Sequence, residues 1–494
     1  MPCVRAQSML AEDTFCFLNE TRTVATATGW NDPAIAKLWL YNLHYFDDLT
    51  GTGAAERNDW HQHLIARWIA ENPAGEGNGW EPYTTSLRIV NWIKWSFAGG
   101  TLSAEALASL AVQIRFLCER LEFHLLGNHL LANAKALVFA GAFFEGEEAQ
   151  QWMQLGRQIL ARELPEQILA DGGHFELSPM YHSVILEDIL DMENVLRAYA
   201  LEPVTEPGLA DRMRRWLATM CHPDGEISFF NDAAMGIASP PAMLEDYARR
   251  LGHAPLPVER ENVVQLAASG YVRLEKSLAV LLIDAAPIGP SYLPGHGHAD
   301  ALSFELSLCG QRVLVNSGTS CYGNSAERQR QRGTAAHNAV VIDGQDSSEV
   351  WGGFRVARRA HISELTLKRG TPLTVQAAHD GYRRLPGKNL HRRTWLLEAQ
   401  CLRIEDEVSG VFDKACAYFH LHPGIRVVAG EQSQSVVLLL PDAVRVSIAV
   451  AGGELSVVED SWHPNFGMSA PSHCLIVLLT GSRMTTEIHW GECA

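Results

Sequence analysis

The 494-residue chain is 47% hydrophobic and 20% charged, an ordinary globular composition that excludes long disordered stretches. Its formal net charge of -17 argues against a nucleic-acid binder, because neutralising phosphates needs a basic face. No apolar run reaches the roughly 18 residues of a membrane helix, and Met1 to Glu20 lacks the apolar core of a secretory signal, so a cytoplasmic location is expected.

Apolar residues recur at helical spacing over Ile35 to Leu49, Trp60 to Ala70, Thr85 to Phe97, Ala104 to Leu121, His129 to Phe144, Ala149 to Glu163, Tyr181 to Ala200 and Gly208 to Met220. Strand-like alternation is almost absent there. Paired helices of similar length, without a heptad or an obvious short repeat, predict a helical barrel or toroid rather than a bundle. Nine of the 13 tryptophans precede residue 217, Trp30 among them. Indole packs on the apolar faces of sugar rings, but it also dominates helical cores.

After Pro255 and Pro257 the texture changes. From Val263 onward the runs Gly270 to Leu274, Leu278 to Ile283, Ser303 to Leu308, Arg312 to Val315, Ala339 to Ile342, Val436 to Leu440, Val444 to Val450 and Leu475 to Leu479 are short, β-branched and bounded by turn residues. They predict a sandwich of antiparallel strands. The expected organisation is an α+β chain with a helical domain over 1–258 and a β-sandwich over 259–494. Ten cysteines, scattered singly, read for the most part as buried thiols of a reducing compartment. Between Gly323 and Arg393, 13 Arg or Lys face six Asp or Glu, a basic strip that suits an anionic ligand or simply guards strand edges.

Four segments carry chemistry. Asn128-His129 opens a helix, where amide donors and the positive end of the helix dipole can hold a carboxylate; a plain cap with a surface His is the simpler reading. Ser178-Pro179-Met180-Tyr181-His182 opens another, and a His beside Tyr181 could bring its phenol into use as a base, or Tyr181 is a core residue with a satisfied hydroxyl. His296-Gly297-His298-Ala299-Asp300, followed by Ala336-His337-Asn338, supplies three imidazoles and a carboxylate on consecutive strands. That set suits a metal site, an acid/base site, or turn histidines satisfied by backbone.

These segments, together with Leu38-Trp39-Leu40-Tyr41-Asn42-Leu43-His44-Tyr45-Phe46 and Asn316-Ser317-Gly318-Thr319, resemble the heparinase II/III-like polysaccharide lyases in order and over nearly the whole chain. The resemblance implies an (α/α) toroid joined to an antiparallel β-sandwich, and β-elimination on uronic-acid polysaccharides. It matches Tyr181 to the family's catalytic tyrosine, His296 to its sheet-domain histidine, and Asn128 or His129 to the residue beside the substrate carboxylate. His298 and His337 match ligands of a structural divalent metal, zinc or manganese. Asn316 stands where the third ligand is normally Asp, and an amide is a poorer ligand for a divalent cation. Arg88, His182, Trp30, Tyr322 and Arg355 are expected to contact the glycan.

Elimination requires the substrate carboxylate to be neutralised first, by Asn128, His129 and an Arg such as Arg88. Tyr181 then moves both protons when the C5 proton and the leaving O4 share a face of the ring, with His296 as base when they do not. The expected substrates are glycosaminoglycans such as hyaluronan, chondroitin sulfate and heparan sulfate. Alginate or a bacterial capsular polysaccharide is the alternative polymer. A glycoside hydrolase using Glu187, Asp188 and Asp191, or a noncatalytic acidic-glycan binder, are the competing readings.

Overall fold

The computed structural model describes residues 3–256, 262–430, 432–442 and 444–491. The expected domain boundary at 258/259 lies outside the described residues. The chain forms two compact units: Met1–Ile168 with Val184–Ala210 and Met243–Ala254, and Leu169–Ser183 with Asp211–Ala242 and Pro255–Ala494.

Helices α1 (Lys37–Tyr45), α2 (Asn58–Glu71), α3 (Pro82–Phe97), α4 (Ala104–Cys118), α5 (Gly127–Phe143), α6 (Glu147–Gln167), α7 (Pro179–Ala198) and α8 (Leu209–Thr219) match the eight periodic segments, and α9 (Pro241–Arg250) adds a ninth that the periodicity missed. Their ends follow local chemistry. Pro82 occupies the first turn of α3, Ser103 caps α4 by accepting from Ala106 N, and α1 stops early because Phe46 turns left-handed at φ 63°. Strands Met9–Ala11, Thr14–Phe17 and Glu20–Thr23 form a small sheet where no alternation was read. They are too short and too exposed to leave a period.

In the helical unit, α5 is buried on nearly every side, so its sequence carries no polar stripe. Trp30, Trp39, Trp68 and Trp92 are fully buried. The Arg88 guanidinium lies 3.8 Å above the Trp68 ring, and its Nε donates to Gln113. These tryptophans are helix packing, not a sugar platform.

The sheet unit holds an eight-stranded antiparallel sheet in the order Ile362–Arg369, Leu373–His379, Leu390–Leu397, Cys401–Ser409, Arg483–Trp490, Arg445–Ala451, Ser435–Leu439, Arg426–Ala429. A five-stranded sheet (Val263–Leu266, Tyr271–Lys276, Ala279–Asp284, Phe304–Leu308, Gln311–Leu314) and a four-stranded sheet (Gly453–Trp462, Ala470–Leu479, Ala415–His420, Val340–Ile342) complete it. All three contribute to one apolar core that includes Phe304, Phe419, Trp395, Ile404 and Ile488. On the other face of the five-stranded sheet, Trp216 and Met220 pack with Leu177 and Phe230 against Tyr271 and Leu282. That second cluster explains why 169–183 and 211–242 fold with the sheets. A short helix, α10 (Ala326–Arg332), interrupts the strands, and a two-stranded ribbon (Glu349–Trp351, Arg355–Ala357) follows it. Among the described residues, eight cysteines form no disulfide, four of them buried, and Cys309 is disulfide-bonded.

Candidate active site

Tyr181 stands in the first turn of α7. Ser178 precedes the helix and its Oγ accepts from Tyr181 N at 3.2 Å, with Pro179 supplying the fixed φ of the first position. The half-buried Tyr181 ring lies on the imidazole of His296, centroids 3.9 Å apart and planes 32° from parallel. Its hydroxyl meets the Tyr322 hydroxyl at 2.9 Å. Burial, reinforced by the Asp232 charge, pushes the Tyr322 phenol well above its usual value. Tyr322 therefore keeps its proton and can donate it in a hydrogen bond to the Tyr181 oxygen, which favours any negative charge there.

Behind His296 sits Asp232, a residue the sequence reading did not single out. Its Oδ2 is 2.9 Å from His296 Nδ1 and its Oδ1 2.9 Å from His298 Nε2. Both Nη atoms of Arg328, projecting from α10, donate to the same carboxylate. Burial alone would raise Asp232, but Arg328 and then the two imidazoles hold it well below the ordinary carboxylate range. An ionised Asp232 only accepts, so it takes Nδ1–H from His296 and leaves His296 Nε2 as the working nitrogen. Asp232 N also donates to His296 O, which locks the two loops together.

Gly297 separates the two histidines because a Cβ there would stand 2.6 Å from Ile288 O. His298 and His337 are buried, with His298 Nδ1 3.1 Å from His337 Nε2. Burial brings His298 down to about 4 and holds His337 well below its usual value, so both rings are neutral near pH 7. His298 gives its Nε2 proton to Asp232, and His337 gives its Nδ1 proton to Gly333 O at 2.8 Å. Two lone pairs then face each other across 3.1 Å, an arrangement a cation resolves. Asn316 is buried, its Oδ1 accepting from Asn338 N and its Nδ2 reaching Ser303 Oγ at 3.5 Å. Asp300, from the same motif, accepts from Asn231 N, and burial pushes it up to about 7.

Several expected contact residues serve other ends. His182 is buried, its Nδ1 accepting from His174 N and its Nε2 meeting Met213 O, so the imidazole beside Tyr181 is that of His296. Trp30 and Arg88 are fully buried, Trp30 donating to Glu71, and neither presents surface to a glycan. Arg355 is exposed on the ribbon, next to Phe354, whose ring stands edge-on to His296 at 6.0 Å. Most of the basic strip is committed: Arg358 to Glu349, Arg392 to Glu364 and Glu407, Arg393 to Asp406, and Arg359 to the carbonyls of Pro290 and Ser291.

In the helical unit, Asn128 is buried inside α5 rather than capping it, since the cap position falls on Leu126. His129 lies on the Tyr83 ring at 4.4 Å, with Nδ1 2.9 Å from Glu122 Oε1. The carboxylates that a hydrolase would need are neutralised: Lys135 bonds both Asp188 and Asp191 at 2.6 Å, Lys94 adds to Asp191, and Arg5 pairs with Glu187.

Residues 54–251 match the heparinase II/III N-terminus and residues 259–491 match the heparinase II/III-like C-terminal domain. A heparin-sulfate lyase of Bacteroides stercoris is 28% identical over 246 residues, 44% of this chain, and one of Pedobacter heparinus is 26% identical over 250, also 44%. Each alignment spans 36% of that relative's length. The solved heparinase III superposes with a TM-score of 0.76 at 18% identity, over 97% of this chain and 80% of that one. A chondroitin AC lyase of Streptomyces coelicolor gives 0.57 at 12% identity, over 92% and 75%. The fold, a helical toroid followed by an antiparallel β-sandwich, is theirs, and this chain belongs to the heparinase II/III-like family.

Proposed function

We propose that this chain is a polysaccharide lyase that cleaves a uronic-acid glycan, with heparan-type glycosaminoglycan the first substrate to try, by β-elimination. One observation carries the reading: a phenol lies against an imidazole whose far nitrogen is held by a buried, ionised Asp232. Such a pair can take the proton from C5 of the uronate and return one to the departing O4, with no water added. Tyr322 stabilises the Tyr181 oxygen when it loses its proton. His296 Nε2 is the second proton-transfer group, and Asp232 stabilises the imidazolium that would form. The role proposed for Asn128 and His129, donors to the substrate carboxylate, rests on the resemblance, and their own substitutions test it. Relatives named for heparin-sulfate cleavage support the choice of substrate class.

The donor chemistry of His298 and His337 fits the family's divalent metal, with His298 Nδ1 and His337 Nε2 as ligands and Asn316 proposed as the third. When bound, the cation would supply a structural cross-link between the His296–Asp300 turn and the His337 loop. The protein residues carry the proton transfers themselves. Tyr181→Phe should lower kcat by about 10²–10⁴-fold, the usual span of an acid/base group, with the melting temperature unchanged. Turnover within about tenfold of wild type would refute the assignment.

A further inference from the structure

Three strands of the four-stranded sheet gather a His, an Asp and a Cys that the proposed reaction does not use. His420 pairs directly with Cys474, and Cys474 with Val458, two residues before Asp460. Side chains alternate along a strand, so His420, Cys474 and Asp460 project from one face, while Phe419, Leu475 and Val477 enter the apolar core from the other. His420 Nδ1 lies 2.6 Å from Asp460 Oδ2. The other nitrogen of His420, Nε2, is buried and makes no hydrogen bond among the described residues. Cys474 is 2% exposed, and its thiol donates to the carbonyl of Leu475 at 3.6 Å. One ligand atom from each of the three lies within 4.8 Å of the others.

We propose that His420, Asp460 and Cys474 form a site for a transition-metal cation of the zinc class. Thiolate with imidazole and carboxylate selects zinc or cobalt over calcium or magnesium, which prefer oxygen shells. Two anionic ligands cancel the charge of a divalent ion in a place with little water. Arg330 is held mainly by Glu327, and its Nη1 lies 3.8 Å from Asp460 Oδ1, the carboxylate oxygen that His420 does not use. Metal–ligand bonds of about 2.0–2.3 Å place ligand atoms roughly 3.5 Å apart, so the side chains draw in on binding. The site shares no ligand with the His298–His337 pair, and its sulfur gives it a different spectrum.

Cobalt(II) titration of the full chain, stripped of metal by chelator and dialysis, tests the proposal. Near-ultraviolet thiolate-to-cobalt charge-transfer absorption should appear in the wild type and vanish in Cys474→Ser. Zinc affinity should fall by more than about 10–100-fold in Asp460→Asn, because losing an anionic ligand costs more than losing a group that only orients one. No such absorption at saturating cobalt, or its persistence in Cys474→Ser, would overturn the assignment. Should the Ser variant fail to fold, zinc-edge X-ray absorption of the wild type decides: a shell with a sulfur neighbour supports the site, and nitrogen and oxygen alone defeat it.

Discussion

Asp232 grips two imidazoles and a guanidinium with two oxygens, so its loss acts on chemistry and on the fold together. Asp232→Asn replaces an acceptor-only group with an amide that cannot satisfy Arg328, and it frees His296 to turn. We expect kcat to fall by about 10²-fold or more. Stripping a buried Arg of its counter-charge should also cost about 3–5 kcal/mol, read by chemical denaturation. Loss of activity with wild-type stability would mean that Arg328 finds another partner. Tyr181 and His296 were legible in the sequence because short motifs surround them. Asp232 was not, because its partners lie 64 and 96 residues away and only the folded loops bring them together. His182, adjacent to Tyr181 in sequence, was misleading for the same reason: consecutive residues on a helix point in different directions, and this one points into the core.

The central strands Leu390–Leu397 and Cys401–Ser409 carry a buried trio, His391, Arg393 and Asp406, with Asp406 accepting from both neighbours at 2.7 Å. Burial opposes its charge, but Arg393 and His391 bring the Asp406 carboxyl down to about 2. A depressed carboxylate adds stability above its ordinary range near 4 and loses it as pH falls through about 2; the shift corresponds to about 2 kcal/mol. His391, held below its usual value by burial, works in the same sense, and its loss begins below the ordinary imidazole value. Denaturation free energy should therefore decline from about pH 6 toward about pH 2, and Asp406→Asn should be less stable at about pH 7 with a flatter decline below about pH 4. A parallel decline in the variant would remove Asp406 from the account. Chelator treatment should lower the melting temperature if a cation bridges the His298–His337 pair, and His337→Ala should be insensitive to the chelator at that site. Unchanged melting would leave the two imidazoles bridged by a proton instead. At this scale the long amphipathic helices were readable from their period, whereas α9 and the N-terminal strands were too short to show one.

For the whole molecule, composition and the change from helical to strand texture disclosed the order of the fold, but not the return of 169–183 and 211–242 to the sheet unit. Those segments are stitched in by Leu177, Trp216 and Phe230, ordinary apolar residues whose partners lie about fifty to a hundred residues away. The basic strip misled for a related reason: on a chain of net charge -17, its arginines find carboxylates across neighbouring strands. The distinction between elimination and hydrolysis belongs to the whole chain tested on polymer. Digestion of heparan sulfate in heavy-oxygen water, with products read by mass spectrometry and ultraviolet absorbance, tests it most directly. The account predicts unsaturated uronate ends that absorb and carry no solvent oxygen; saturated ends bearing one heavy oxygen per cleavage would contradict it.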